Sequence, residues 1–398
     1  MKNQTYGEKN VAVTGIGMSK ISRRADKSAL ALTIDACMEA IEDAGLKRSD
    51  IDGVASYPGA DNNASGMSPV GVPQLMDALR LDVNWFSGGG EVPGQLGAVF
   101  NAIGAIAAGY CRHVLVFRTV FEGTARKLNR TANASATGGR NYGQIVHYTP
   151  YWAIFAAVQQ ALYFQRYMHD YGLTSETTGR IAVNNRRNAS LNPAAVYRTP
   201  FTLDDYFNSE MLATPVRMYD CDVPCDGSVA ILLSRADAAK DCRNPVLRVE
   251  SVGCAQKVRY SWDQIRGEAL ARQATISSSE MMWSRTDLKP SDVDTAQFYD
   301  GFTFHTAAWL ASAGFCKPGE ENDFVGDGSR IALEGQLPIN TGGGQLSLGR
   351  MHAYGQLHEA ATQLWRRGGD RQIKRDINVS INTTAGGPLS GCMMLVKE

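Results

Sequence analysis

The stretch from Asn340 to Gly355, NTGGGQLSLGRMHAYG, is the sharpest chemical signal in this chain. Gly342, Gly343 and Gly344 leave no side chain between the backbone and whatever lies over it. Arg350, His352 and Tyr354 follow at alternate positions and supply a cation, an imidazole and a phenol. A Gly-rich turn that carries proton donors can present a reacting group to a bound ligand. The same stretch also fits an ordinary turn entering a surface helix, so the elements around it have to decide.

At 398 residues the chain is long enough for two domains or one duplicated unit. An apolar fraction of 44% and a charged fraction of 20% fit a soluble globular protein. Lys plus Arg number 40 and Asp plus Glu number 40, with no basic run, which argues against a nucleic-acid binder. Near-zero net charge suits self-association. The eight cysteines are scattered, unlike a disulfide scaffold. Cys221 and Cys225 form the close pair, but no second Cys or His pair stands nearby, so no metal site is expected. The polar opening MKNQTYGEKN and the lack of a run of about 18 apolar residues predict a cytoplasmic enzyme with neither signal peptide nor membrane span.

In chain order, NVAVTGIG (10–17) reads as a buried strand, and its GIG lacks the spacing of a dinucleotide fingerprint. Residues 27–45 have helical spacing and close on Gly45. LKRSDIDGVASY (46–57) is a turn and a strand, and 59–90, rich in Gly, Asn, Ser and Pro, is expected as loop or interface. A small-residue helix (94–109) and a strand (113–120) follow. Residues of about 121–215 break the alternation and are expected as an inserted loop domain with its own helices. After the strand CDGSVAILLS (225–234) the plan repeats, with the strand PVLRVESVG, a helix-prone IRGEALARQATISSSEMMWSRTDL and LKPSDVDTAQFY (288–299). The last segment shares its Leu, Lys, Ser, two Asp and closing Tyr with LKRSDIDGVASY, so Tyr299 stands where Tyr57 does. Strands at 377–387 and 392–398 end the chain. Two stacked α/β units follow, 1–242 and 243–398, with helix layers between and outside two sheets.

These features resemble the thiolase superfamily, most of all its sterol-carrier-protein-2 thiolase or nonspecific lipid-transfer branch. VAVTGIG, the duplicated halves, DGSVAILLS and the C-terminal Gly-Gly turn carry the resemblance. The most specific piece is N-x-x-G-G-x-x-x-x-G, matched by Asn340, Gly343, Gly344 and Gly349. The resemblance implies a thiolase-like five-layered α-β-α-β-α internal duplication, a dimer and coenzyme A thioester ligands. The departures are informative. The helix that bears the family's nucleophilic cysteine has no Cys between Trp85 and Tyr110. Gly-His-Pro reads Gly349-Arg350-Met351, the second cysteine falls on Thr383, and Asn-Glu-Ala-Phe reads Tyr299-Asp300-Gly301-Phe302. Claisen chemistry needs a thiolate and an activating histidine, and both are replaced.

With tyrosines at 299 and 354 the chain resembles the steroid side-chain aldolases of that branch. This implies retro-aldol cleavage of a bulky β-hydroxyacyl-CoA, and a heterotetramer with a DUF35 partner (an OB fold, often with a zinc ribbon). Such a step needs a base, an acid and donors for an enolate oxygen. Tyrosine, with a pKa of about 10 in water, needs a neighbouring cation or a relay to act as a base. Tyr299 and Tyr354 are the expected acid–base pair, in either order, with Arg350 and His352 as neighbours. His352, Asn340 or backbone N–H groups near Gly386 and Gly387 are expected to hold the enolate oxygen. Asp300, Asn340, Gly343, Gly344, Arg350, Gly386 and Gly387 form the expected substrate-binding set, although Asp300 also fits a carboxylate that bonds backbone at a strand end. His305 and His358 read as structural or solvent-facing. No cofactor is expected beyond the coenzyme A of the substrate. Two rivals stand beside this reading: a noncatalytic acyl-CoA or lipid binder, and a thiolase whose cysteine lies elsewhere, Cys111 being the one to watch.

Overall fold

The computed structural model describes residues 6–60, 66–90, 92–128, 149–151, 153, 155–256, 274–386 and 389–398. Strands β1 (Val11–Met18), β2 (Gly53–Ser56), β3 (Trp85–Gly88), β4 (His113–Phe121), β7 (Asp226–Arg235), β8 (Leu247–Gln256), β9 (Thr295–Gln297), β10 (Val379–Gly386) and β11 (Leu389–Lys397) run in the order β3-β2-β4-β7-β1-β8-β11-β10-β9. Two short strands, β5 (Met211–Ala213) and β6 (Val216–Arg217), form a separate ribbon. Read outward from the centre, β1-β7-β4-β2 mirrors β8-β11-β10-β9, which is the duplication seen in the sequence. The two expected sheets are joined into one ladder by a short pairing, Ala12 and Val13 of β1 against Arg248 and Leu247 of β8.

Five layers result. Helices α1 (Ala29–Asp43) and α2 (Val72–Leu79) cover one outer face. Helix α3 (Gly97–Ala107) and the later α9 (Tyr354–Leu364) fill the middle. The second half has α7 (Ala274–Ser284) and α8 (Thr303–Ser312) on its outside. Within the first half, between β4 and β7, the chain adds α4 (Glu122–Leu128), α5 (Ala156–Tyr171) and α6 (Ser175–Ser190). The long strands β1, β4, β7 and β10 are buried at nearly every position because both faces are covered. Their alternation still sorts the side chains. On β4, Leu115 and Phe117 join the outer cluster, whereas Val114, Val116 and Val120 join the central core.

The repeated segment has a structural cause. In each copy the first Asp caps a single 3-10 turn: Lys47 N donates to Asp50 Oδ2 at 2.8 Å, and Lys289 N to Asp292 Oδ2 at 2.8 Å. The second Asp pins the start of the neighbouring parallel strand. Asp52 accepts from Arg112 N and His113 N, and Asp294 from Asn378 N and Val379 N. The stretch 59–90 corrects the expectation of loop or interface, since it contains α2 and β3. Pro73 is the reason: it sits in the first turn of α2, where its missing N–H costs nothing. Part of the helix-prone stretch before Ala274, and much of the basic stretch after Leu128, lie outside the described residues.

Each half seats its first strand directly under a helix. A Cβ on Gly17 would lie 2.1 Å from the Ala36 carbonyl of α1, and one on Gly253 would lie 1.8 Å from the Ser278 carbonyl of α7. Gly253→Ala must therefore push α7 off β8 and is expected to cost about 1–3 kcal/mol of unfolding free energy, read from the urea midpoint. Gly104→Ala on α3 meets nothing within 4 Å and is expected to leave the midpoint unchanged or raised by about 0.4–1 kcal/mol equivalent.

Candidate active site

The Gly-rich turn is built around a carboxylate. Asp300, three residues past β9, is fully buried. It accepts hydrogen bonds from Gln345 N (2.8 Å), Leu346 N (3.4 Å), Asn185 Nδ2 of α6 (2.8 Å) and Gln356 Nε2 of α9 (2.7 Å). Burial pushes its carboxyl up to about 7, against the pull of these bonds. Gly344 (φ +58°) has no room for a Cβ, which would lie 1.8 Å from Asp300 Oδ2, and Gly343 (φ +100°) backs onto Ala189 at 2.5 Å. What lies over the bare glycine backbone is the chain itself. Asp300, Gly343 and Gly344, expected in the substrate-binding set, form the clasp that shapes the turn. Asn340 (φ +45°) is likewise fully buried and off the cavity wall, with no side-chain partner among the described residues.

Beyond this turn the chain opens a cavity of about 890 Å³. Tyr299, Arg350, His352, His305, Cys221 and Phe155 are among its walls. Tyr299 is 7% exposed. Its hydroxyl accepts from Gln95 Nε2 at 3.2 Å, just ahead of α3, and its backbone N donates to Thr383 Oγ1 at 2.8 Å. The residue at the second cysteine position thus holds Tyr299 in place. Arg350 lies between two carboxylates, with Nη2 2.8 Å from Glu122 and Nε 3.4 Å from Asp222. Burial, then Asp222 and Tyr57, push the Tyr299 phenol above its ordinary value, while Arg350 pulls the other way.

A second group stands behind His352. Arg118, on the central face of β4, is fully buried. Its Nη2 donates to His352 Nδ1 at 3.0 Å, its Nη1 donates to the Thr119 carbonyl at 2.8 Å, and its guanidinium lies 5.6 Å from the Tyr57 ring centroid. Burial lowers its guanidinium to about 10, still cationic at neutral pH. Tyr354 opens α9 and is fully enclosed; it is not on the cavity wall, and its Oη has no partner among the described residues. Burial raises its phenol, Arg118 opposes this, and Tyr57 adds to it. Burial, Arg118 and Arg350 together hold His352 well below its ordinary value.

Other expected residues separate. Gly386 ends β10 with its Cα side toward His305, where a Cβ would lie 3.3 Å from the ring, and Gly387 lies outside the described residues. His305 is on the wall with Nε2 3.0 Å from Gln160 Oε1, and burial lowers it to about 4. His358 is half-buried beside Thr362. Cys111 is a core thiol pushed up to about 12 by burial. Cys221 reaches the wall, but burial, Asp222 and Asp220 hold its proton on, the reverse of what a nucleophile needs. Gln95, Arg118, Glu122 and Asp222 were not singled out from the sequence. Only Arg118 had a visible signal, a lone charge inside the apolar run VLVFRTV.

Residues 258–397 match a family model described as thiolase C-terminal domain-like. The chain is 32% identical to the 17-hydroxy-3-oxo-4-pregnene-20-carboxyl-CoA lyase of Mycobacterium tuberculosis, over 96% of this chain and 98% of that protein. It is 31% identical to a steroid side-chain-cleaving aldolase of Thermomonospora curvata, over 96% and 97%. A solved Ltp2-ChsH2(DUF35) aldolase superposes with a TM-score of 0.85 at 28% identity, covering 98% of both chains. An acetyl-CoA acetyltransferase from Syntrophomonas wolfei shares the fold alone, at a TM-score of 0.67 and 14% identity. The chain belongs to the thiolase superfamily, in the branch that holds the steroid side-chain-cleaving aldolases.

Proposed function

We propose that this chain is a carbon–carbon lyase. It cleaves the Cα–Cβ bond of a bulky, steroidal β-hydroxyacyl-CoA by a retro-aldol step and releases a ketone with propionyl-CoA or acetyl-CoA. The observation that carries this reading is the makeup of the cavity wall: a phenol, a guanidinium and an imidazole stand where a thiolase needs a thiolate and its histidine. In the step, a base takes the β-hydroxyl proton and the Cβ–O bond becomes a carbonyl. The Cα–Cβ electron pair moves into the thioester as an enolate, and an acid then protonates Cα.

The charges around the two tyrosines support an assignment. Arg350 is offset by Glu122 and Asp222, so Tyr299 keeps its proton and is the acid. Arg118 bonds an imidazole and a carbonyl, so its charge favours a tyrosinate at Tyr354, the base. The reading requires the β-hydroxyl to reach Tyr354 Oη directly or through one water. His352 donates to the enolate oxygen.

We extend the reading to a cytoplasmic homodimer that joins a DUF35 (OB-fold) protein in a heterotetramer. Among the described residues, no helix is long and apolar enough to cross a membrane. Phe155 and Met218, 63% and 44% exposed at the cavity mouth, suit a bulky apolar substrate or a covering partner.

Purified with its partner, the enzyme is expected to release a short acyl-CoA from a steroidal β-hydroxyacyl-CoA; binding without any product would support the noncatalytic alternative. Tyr299→Phe and Tyr354→Phe are each expected to lower kcat by ~10²–10⁴-fold. Exchange of the Cα protons of propionyl-CoA in deuterated water separates the roles: it should survive in Tyr354→Phe and vanish in Tyr299→Phe. The reverse pattern would swap the assignment. Because the Tyr354 phenol is raised, little tyrosinate exists at neutral pH, and kcat is expected to climb about tenfold per pH unit above pH 7. Light scattering of the co-purified complex should give the mass of two copies of each chain.

A further inference from the structure

We infer that Arg118 is a positioning residue: it fixes His352 as a neutral imidazole with its proton on Nε2, presented to the cavity as a hydrogen-bond donor. The role of that donor in holding an enolate oxygen rests on the lyase reading, whereas the tautomer does not.

A guanidinium has only N–H groups and cannot accept a hydrogen bond. The 3.0 Å contact from Arg118 Nη2 therefore requires the lone pair on His352 Nδ1. That leaves Nε2 as the protonated nitrogen, and it has no partner among the described residues on a side chain that lines the cavity. The ring is also held through its backbone. His352 (φ +52°) donates its N–H to Gln345 Oε1 at 2.9 Å, and Gln345 in turn donates its own N–H to Asp300. The charged groups around the ring are Arg118 from β4 and Arg350 from its own turn, the latter tied to Glu122 and Asp222. Two cations and a buried site oppose a second proton on the ring.

Arg118 is hard to explain as packing. Val114, Val116 and Val120 occupy the same face of β4 and are apolar, as the core demands. A fully buried guanidinium whose hydrogen bonds go to a carbonyl and an imidazole is expensive in such a place. Fixing the proton on a cavity-facing imidazole is a reason to keep it there.

The test is nitrogen NMR with 15N-labelled histidine. The chain has six histidines, and His352→Gln assigns the signal. The wild type is expected to show one neutral Nε2–H tautomer that does not titrate between about pH 5 and 8. A cationic ring or an Nδ1–H form in that range would overturn the inference. Arg118→Met should admit the Nδ1–H form and lower kcat by ~10–100-fold with KM within about threefold. Arg118→Met with the wild-type tautomer at every pH would also overturn it. Arg118→Lys, whose ammonium only donates, should keep the Nε2–H form, and this variant serves if Arg118→Met does not fold. The NMR needs no substrate. The expected tautomer without lyase activity would remove the lyase reading alone, and lyase activity with an unlocked ring would remove this inference alone.

Discussion

The carboxylate of Asp300 is the constraint on which the site depends. It gathers donors from three separated parts of the chain: the one-turn helix after the triple glycine, α6 and α9. Asp300 directly follows Tyr299, and its Gln345 partner holds the backbone of His352. One buried carboxyl group thus sets the spacing between Tyr299 on the β9 side and the Arg350–Tyr354 segment on the other. The glycines at 343 and 344 follow from it, because no side chain fits between that group, α6 and the turn. Four donors surround this one carboxyl group, and removing any of them leaves buried polar groups unpaired.

Around this frame the protein places two cations in different electrostatic settings. Arg350 is paired with Glu122 and Asp222, so its charge is largely spent where it stands. Arg118 bonds a carbonyl and an imidazole, so its charge remains available to its neighbours. Two phenols beside two guanidiniums are therefore not equivalent, although their residue types are. A thiolase separates nucleophile from base by chemical type. Here the two phenols differ in which arginine beside them is paired with carboxylates.

The duplication shows how a sequence signal can be real and yet mean something else. The shared Leu, Lys, Ser and Asp positions of the two copies read as a repeat, and the structure gives each Asp the same backbone task in both halves. These are local bonds, reached within a turn or across adjacent strands, so the same letters recur. The closing tyrosines share a place in the fold but diverge in surroundings: Tyr57 faces Arg118, and Tyr299 faces the cavity with Arg350. Topology carried the position, and neighbours from other elements set the use.

The sequence by itself determined the layered α/β duplication, the loss of the thiolase nucleophile and histidine, and the Tyr299, Arg350 and His352 group that reaches the cavity. Each of these rests on periodicity, a repeat or a substitution within one segment. Tertiary structure alone decided that Gly344 abuts Asp300 and Gly343 abuts α6, that Tyr354 is enclosed, and that Arg118 meets His352. These depend on which side chains a fold brings together from β4, α6, β9 and α9. Hydrogen bonding and desolvation act through a few ångströms of space, and separation along the chain does not encode them.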